Sequence, residues 1–310
     1  MKKRFANLDA NESVFFAREL EFIKSRTYDK VYPFLKQRQV IPVSFEADPA
    51  AETITYESYD GIGMAKIVRD YANDFPKVQL RGKEFTAKVR SLGDSYDYSV
   101  QEIRAAQRTG KPLQQRKANV AKQAIMELER DIAFYGSDIY NLTGWLNNTN
   151  IPDVALTNGD WLNVLTTADK IISDMNQLFQ KVATQSLGRE QANTMLMPNE
   201  YLLKLRSTPR STTSDTTILE FFMMNNPEID SVDYLNEMKA SNSGGVLSKD
   251  IAIAYDRNPE KFTLEIPQEF EQFPPQPKGL TFEVYCHERI GGVLLYYPLS
   301  QAKTDDIGAP

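Results

Sequence analysis

VQLRGKEFTAKVRSL, residues 78–92, is the stretch on which the reading of this chain turns. It has the length and residue types of a long strand, with Val, Leu, Phe and Thr set among charges. Those charges, Arg81, Lys83, Glu84, Lys88 and Arg90, fall on both faces, so the strand cannot lie inside a buried sheet. Upstream, ETITYESYD (residues 52–60) reads as a second strand, with Ile54 and Tyr56 on the same side. GIGMAKIVRDYANDFP (residues 61–76) is the mixed tip between the two. Residues 50–95 are thus expected to form a long, polar, two-stranded hairpin. A lone hairpin is marginal in water, and its open edges invite pairing with another chain. Of the two ways out, a floppy excursion or a covered one, the second is the better expectation: a neighbouring subunit lies against it.

The composition around this hairpin is that of an ordinary soluble protein. A chain of 310 residues needs no disulfide or metal staples to bury a core. Lys and Arg total 36 against 42 Asp and Glu, a formal charge of −6, which opposes a dedicated nucleic-acid binder. There is one Cys, Cys286, and one His, His287, too few for an intrachain disulfide or a Cys/His zinc site. Any Ser-His-Asp or Cys-His chemistry would have to run through His287 alone. No apolar run approaches the roughly 18 residues of a membrane span. Met1-Lys2-Lys3-Arg4 leads into Phe5-Ala6-Asn7-Leu8-Asp9 without the apolar core of a signal peptide, so a chain made in the cytosol is expected.

Away from the hairpin, residues 1–40 read as an arm containing a helix. Ser99 and Glu102 are spaced as a capping box opening a helix over 99–108. A break at Thr109-Gly110-Lys111 precedes a long helix from Pro112 to Tyr135, with Ala121, Ala124, Ile125, Leu128, Ile132 and Tyr135 on one stripe and Gly136 as its stop. A second long helix is predicted over 160–184, its buried face marked by Val164, Leu165, Ala168, Ile171, Ile172, Met175, Leu178, Phe179 and Val182. A buried strand at 194–197, a helix capped by Asn199, a Ser/Thr-rich mobile loop at 207–217 and a helix over 218–224 follow. Strands are expected near 229–235, 250–255, 261–267, 280–288 and 290–297. Helices and strands mix without regular alternation, so the class is α+β.

Candidate chemistry is thin. No GxxxxGK[ST] or GxGxxG occurs. His287 beside Glu283 and Glu288 could pair a base with a carboxylate, but the alternation of Phe282, Val284 and Cys286 against Glu283, Tyr285 and His287 reads as an exposed strand face. Asp94/Asp97 and Glu127/Asp131 could act as acid pairs, yet 42 acidic residues make chance pairs inevitable. Glu127, Glu129 and Asp131 read as solvated helix charge. Arg104, Arg108, Lys111, Arg116, Lys117 and Lys122 form the clearest basic cluster. It suits a protein contact or a loose, sequence-independent one.

The residues also resemble a known family. Ala51-Glu52-Thr53-Ile54-Thr55-Tyr56 through Gly63-Met64-Ala65-Lys66, Gly82-Lys83-Glu84-Phe85 and Gly93-Asp94-Ser95-Tyr96-x-Tyr98-Ser99 are similar to the hairpin region of tailed-phage major capsid proteins. Gln101-Glu102-Ile103-Arg104-Ala105-Ala106, Gly110-Lys111-Pro112-Leu113 and Gln115-Arg116-Lys117-Ala118 follow the same pattern. So does Gly136 with Gly144-Trp145-Leu146-Asn147-Asn148 after the long helix. The resemblance implies the Hong Kong 97-type fold, shared with encapsulins. In that scheme residues 1–49 are an N-terminal arm and 50–95 the extended hairpin loop over an adjacent subunit. Residues 96–159 are a peripheral domain with the long spine helix, 160–259 an axial domain, and 260–310 the strands returning to the peripheral domain.

It further implies a non-enzymatic structural protein in the virion capsid. Its copies would assemble as pentamers and hexamers into an icosahedral head around double-stranded DNA, touching the DNA weakly and without sequence preference. No cofactor, metal or membrane is expected. A separate scaffolding protein, a portal and decoration proteins are the expected partners besides the chain itself. Inter-subunit contacts are expected at Tyr56, Tyr59, Met64, Lys66, Arg69, Tyr71, Phe75, Lys83, Phe85, Arg104, Arg108 and Arg116. An encapsulin-like compartment is the alternative within the fold, and a carboxylate-dependent hydrolase the alternative from another class.

Overall fold

The computed structural model describes residues 35–63, 77–109, 113–211, 213 and 215–308. The expected arm helix before residue 35 and the hairpin tip at 64–76, with Met64, Lys66, Arg69, Tyr71 and Phe75, lie outside the described residues. In chain order come helix α1 (Gln37–Val40), strands β1 (Val43–Ser44), β2 (Thr53–Ile62), β3 (Gln79–Lys88) and β4 (Arg90–Ser99), and helices α2 (Val100–Thr109) and α3 (Leu113–Tyr135). Next are α4 (Ala168–Gln185), β5 (Thr194–Met197), α5 (Asn199–Ser207), α6 (Ile218–Asn225), β6 (Ser231–Tyr234) and β7 (Ala252–Tyr255). The chain closes with β8 (Phe262–Glu265), β9 (Gln268–Gln272), β10 (Gln276–Lys278), β11 (Thr281–Ile290), β12 (Gly292–Leu295) and β13 (Gln301–Thr304).

The expected strand over 78–92 is two strands in two sheets. β3 pairs with β2 from Thr53↔Lys88 to Ile62↔Gln79, forming the hairpin. At Val89 the ladder ends: its side chain is buried and its N–H donates to the Glu52 carbonyl at 2.9 Å. From Arg90 the chain pairs with β11 instead, in register over ten residues from Arg90↔Ile290 to Ser99↔Thr281. Residues 90–95 therefore sit in the sheet of β10, β11, β4 and β9, and the hairpin ladder is shorter than the expected 50–95 excursion.

Two apolar cores organise the rest. One gathers Ile125, Ile132, Phe134, Trp145, Leu146, Tyr255, Phe262, Leu264 and Ile290 around α3 and the strands beside it. The other lies between α4, α5 and α6 and the mixed sheet β13-β7-β5-β6, with Met175, Leu178, Met195, Tyr201 and Phe222. Strands β5 and β7 are buried along their whole length, which fits their unbroken apolar runs TMLM and AIAY. Asp174 of α4 is buried among this second core and is fully used. It accepts from the Asn158 N–H and Nδ2, the Gly159 N–H and the Trp161 indole, at 2.9–3.1 Å.

Local signals explain the helix ends. The capping box is present: Ser99 Oγ accepts from the Glu102 N–H at 3.1 Å, and Glu102 accepts from the Ser99 N–H at 2.9 Å. At the other end of α3, Gly136 takes φ +69° and meets Gly144 so closely that a Cβ on Gly136 would sit 2.5 Å from the Gly144 nitrogen. That approach lets the following turn satisfy the helix's last carbonyls. Trp145 N–H donates to Ala133, Leu146 N–H to Phe134 and Asn147 Nδ2 to Tyr135, at 2.6–2.9 Å.

Several expectations are corrected. The second long helix starts at Ala168, not 160, and Val164 and Leu165 are 96% and 81% exposed on a turn rather than buried. Asn163 and Thr166 side chains bond the local backbone there, Thr166 Oγ1 to the Asp160 carbonyl at 3.0 Å and Asn163 Oδ1 from the Leu165 N–H at 3.0 Å. This local network replaces helical bonds. On α3, Ala124 and Leu128 face out, while Glu129 is fully buried. Asn199 is the first residue of α5, with Pro198 in the capping position.

Candidate assembly surfaces

The hairpin's register assigns its residues to faces. One face carries Ile54/Ala87, Tyr56/Phe85, Ser58/Lys83 and Asp60/Arg81 as cross-strand neighbours. Tyr56 stacks on Phe85 at 5.1 Å and meets Tyr296 edge-on at 4.9 Å. Its hydroxyl donates to the Leu295 carbonyl at 3.2 Å. Ile54 lies against Gly291, where a Cβ would come within 3.0 Å of it. Lys83 Nζ sits 4.5 Å over the Phe85 ring. Burial of Tyr56 at this foot pushes its phenol pKa up. Thus Tyr56, Phe85 and Lys83, all expected at subunit contacts, have partners within their own chain, and Tyr56 anchors the hairpin's foot to β12.

Tyr59 belongs to the opposite face and is 67% exposed. Arg104 and Arg108 lie one turn apart on α2, both exposed, with no ion-pair partner among the described residues. Arg116 lies on α3, partly buried, and is engaged. α2 buries none of its residues, although its sequence is amphipathic. The structure therefore groups the basic candidates on α2 and the first part of α3 and the described aromatic candidates on the hairpin, as two separate surfaces. Lys117 of the basic cluster turns inward, to the Asp97 carbonyl at 2.6 Å and to Glu102.

One charged cluster escaped sequence reasoning. Arg38 of α1 donates through Nη2 and Nε to Glu129 of α3 at 2.6 and 2.9 Å, and through Nη2 to Glu288 of β11 at 3.0 Å. Both carboxyl side chains are inaccessible to solvent. Glu269 of β9 approaches the same guanidinium at 3.4 Å from the exposed side, and Gln37 lies beside Glu129. Burial, then the Glu129 charge, pushes Glu288 up to about 8, against the pull of Arg38. Glu129 is thus not solvated charge. The site ties α1 to the long helix α3 and to the sheet of β11 and β9. Its signal was present in part: Glu288 alternates in phase with Val284, Cys286 and Ile290.

The expected acid pairs do not converge. Asp94 and Asp97 are three residues apart on β4 and so point to opposite faces. Glu127 is bonded to Gln123 and Asp131 to Arg130. His287 and Glu288 also lie on opposite faces of β11, and Glu283 takes Lys278 at 3.2 Å. Among the described residues no group of His, Cys, Asp or Glu is arranged for a metal, and no helix is long and apolar enough to cross a membrane.

Comparison with known proteins agrees with this geometry. The family model described as major capsid protein matches residues 63–307. The chain belongs to the major capsid protein family. As a member of that family the subunit is a structural protein of a capsid shell, not an enzyme, and its place is the virion capsid. Among solved structures, the capsid of Myoviridae phage XM1 superposes with TM-score 0.80 at 17% identity, over 94% of this chain and 98% of that one. The Mycobacterium phage Ogopogo protein gives TM-score 0.60 at 12% identity, over 94% and 99%. A virus-like particle from Pyrococcus furiosus gives 0.51 at 11% identity, over 86% and 90%. The capsid subunit thus has the Hong Kong 97-type fold, α+β as expected, and as a major capsid protein it works as copies of itself. No curated protein sequence matches it.

Proposed function

We propose that the subunit tiles as pentamers and hexamers into an icosahedral tailed-phage head that encloses double-stranded DNA, with the hairpin lying over an adjacent subunit. The observation that carries this is the hairpin itself. Its 20 ladder residues include no buried one, and Val78 and Leu80 beside its tip are 72% and 74% exposed. A monomer has no use for such apolar exposure; a shell covers it. On this reading residues 1–49 are the arm, 96–159 and 260–310 the peripheral domain and 160–259 the axial domain. The hairpin loop is the region assigned to 50–95, less its last residues in β4. A separate scaffolding protein, a portal and decoration proteins are the proposed partners beyond the chain itself. Contact with packaged DNA is weak and sequence-independent, as a net charge of −6 requires.

Tyr56 and Phe85 are direct cross-strand neighbours, so residues 57–84 can be replaced by Asn-Gly, a two-residue turn. That variant is expected to keep its melting temperature and lose rings, sheets and closed shells in sedimentation and negative-stain microscopy. Shells formed as readily as by the full chain would overturn the proposal.

A further inference from the structure

The two faces of the hairpin differ in whether they complete themselves. The face that rests on β12 is internally matched: Asp60 stands opposite Arg81, Tyr56 opposite Phe85, and Lys83 lies over the Phe85 ring. The other face is not. Glu57 stands directly opposite Glu84, a like-charge pair that costs stability where it stands. Tyr59 donates a hydrogen bond to Glu57, but no cation reaches either carboxylate among the described residues. Beside this pair, each large apolar side chain lies across a glycine of the other strand. Tyr59 lies over Gly82, Leu80 over Gly61 and Val78 over Gly63, where added Cβ atoms would meet them at 3.1–3.5 Å. The result is a flat apolar ledge ending in two uncompensated carboxylates.

The complementary feature is α2. Arg104 and Arg108 are exposed, four residues apart, with exposed Gln101 and Ala105 on the same helix face. Side chains at that spacing are about 5–6 Å apart at Cβ, and directly opposed strand residues about 4.5–5.5 Å. Two guanidinium groups therefore match two carboxylates one for one. The small Ala105 between them leaves room for the rim of the ledge, with the arginine stems over Tyr59.

We propose that this hairpin face docks on α2 of a second copy, Arg104 and Arg108 neutralising Glu57 and Glu84. The inference rests on the shell-subunit reading above and names the partner surface within it. It accounts for an otherwise unexplained cost, a like-charge pair held across a ladder, and for two arginines left without a carboxylate on the exposed face of α2.

The test is a charge exchange in the full chain. E57R/E84R and R104E/R108E are each assembled at rising concentration with crowder, under conditions where the wild type forms rings, sheets or shells. All four side chains are exposed, so circular dichroism and melting temperature should match wild type. Each reversal is expected to raise the concentration needed for assembly at least tenfold. Mixing the two variants should restore assembly, because each supplies the charge the other now requires, and the fourfold variant should assemble alone. Wild-type behaviour of either reversal overturns the pairing, and so does failure of both the mixture and the fourfold variant to recover. Recovery by the fourfold variant without recovery in the mixture assigns the contact to a single chain and also overturns it. Loss of assembly in the 57–84 replacement with no effect of charge reversal defeats this pairing alone. Persistence of assembly in that replacement defeats the shell reading beneath it.

Discussion

The hairpin β2–β3 and the sheet β13-β7-β5-β6 are both built from backbone ladders, yet they draw their stability from different places. In the sheet, β5 and β7 are buried end to end, Met195, Met197, Ala252 and Ala254 against the core of α4, α5 and α6 and Leu196, Ile253 and Tyr255 in the core around α3, and the strands are short, largely apolar runs. In the hairpin, two ten-residue strands have no buried residue, and their sequences mix Glu, Lys, Arg and Tyr. The sheet is complete within one chain. The hairpin is complete at its foot, where Ile54 and Tyr56 meet Gly291 and Tyr296, and incomplete beyond it. Exposure in a strand is thus informative about where the missing partner is, because a ladder of this length is marginal without a covered face.

The largest break in that contrast is a matched pair of truncations. Leu196→Ala removes a fully buried side chain from the central strand β5 and is expected to cost about 2–5 kcal/mol of subunit stability. Leu80→Ala in the hairpin should cost less than about 0.5 kcal/mol in the isolated subunit, while weakening assembly. Chemical denaturation measures the first effect and sedimentation the second. Equal losses of subunit stability would mean that the hairpin belongs to the same cooperative core.

Next in size is Arg38→Ala, which strips the counter-charge from two buried carboxyls. Breaking a buried pair typically costs about 3–5 kcal/mol; Arg38 is itself partly exposed, so the lower end is expected. The loss should grow as pH rises through about 8, where Glu288 gives up its proton and the guanidinium is the cation beside it. A denaturation midpoint that falls equally at about pH 6 and about pH 9 would show that Arg38 acts by packing alone.

The same site fixes the pH dependence. Glu288 holds its proton more tightly folded than unfolded, so the folded state binds more protons between the ordinary carboxylate range and about pH 8. Stability therefore falls as pH rises through that window. Glu288→Gln keeps the shape and removes the titration, so it should flatten the decline and raise the melting temperature at pH 9 by a few degrees. The groups facing it are Arg38, Glu129 and, from the outer side, Glu269. An unchanged slope in the variant would assign the pH dependence to another group.

These residues also mark how far the sequence could be read. The strand at 53–62, the capping box at Ser99 and Glu102, and the stop at Gly136 were legible because each depends on neighbours within a few positions. The resemblance to capsid proteins was legible because several such local motifs occur in order. Glu129 was misread because its partners, Arg38 and Glu288, are 91 and 159 positions away, and no local pattern separates a paired buried acid from a solvated one. Val164 and Leu165 were misread for the opposite reason. Their spacing continued a helical stripe, while the deciding bonds came from the polar side chains of Asn163 and Thr166 on either side of them. Likewise the break at Val89 follows from β11 arriving nearly 200 residues later to claim the strand that begins at Arg90.

The smallest expected effect tests the boundary between the two regimes. Tyr56→Phe removes one hydroxyl at the hairpin's foot, and with it the bond to the Leu295 carbonyl. A single such bond contributes about 0.5–1.5 kcal/mol net, and the ring's contacts with Phe85 and Tyr296 remain. If the hairpin opens locally, that loss should not reach the core. The melting temperature should stay within about 1 °C, while amide exchange across Glu57–Ile62 and Gln79–Glu84 speeds up by roughly two- to tenfold. Exchange in β5 and β7 should not change. A uniform acceleration in all four strands would mean that foot and core open together. The hairpin would then be an extension of the core around α3, and its exposed face would owe less to a neighbour than its sequence suggests.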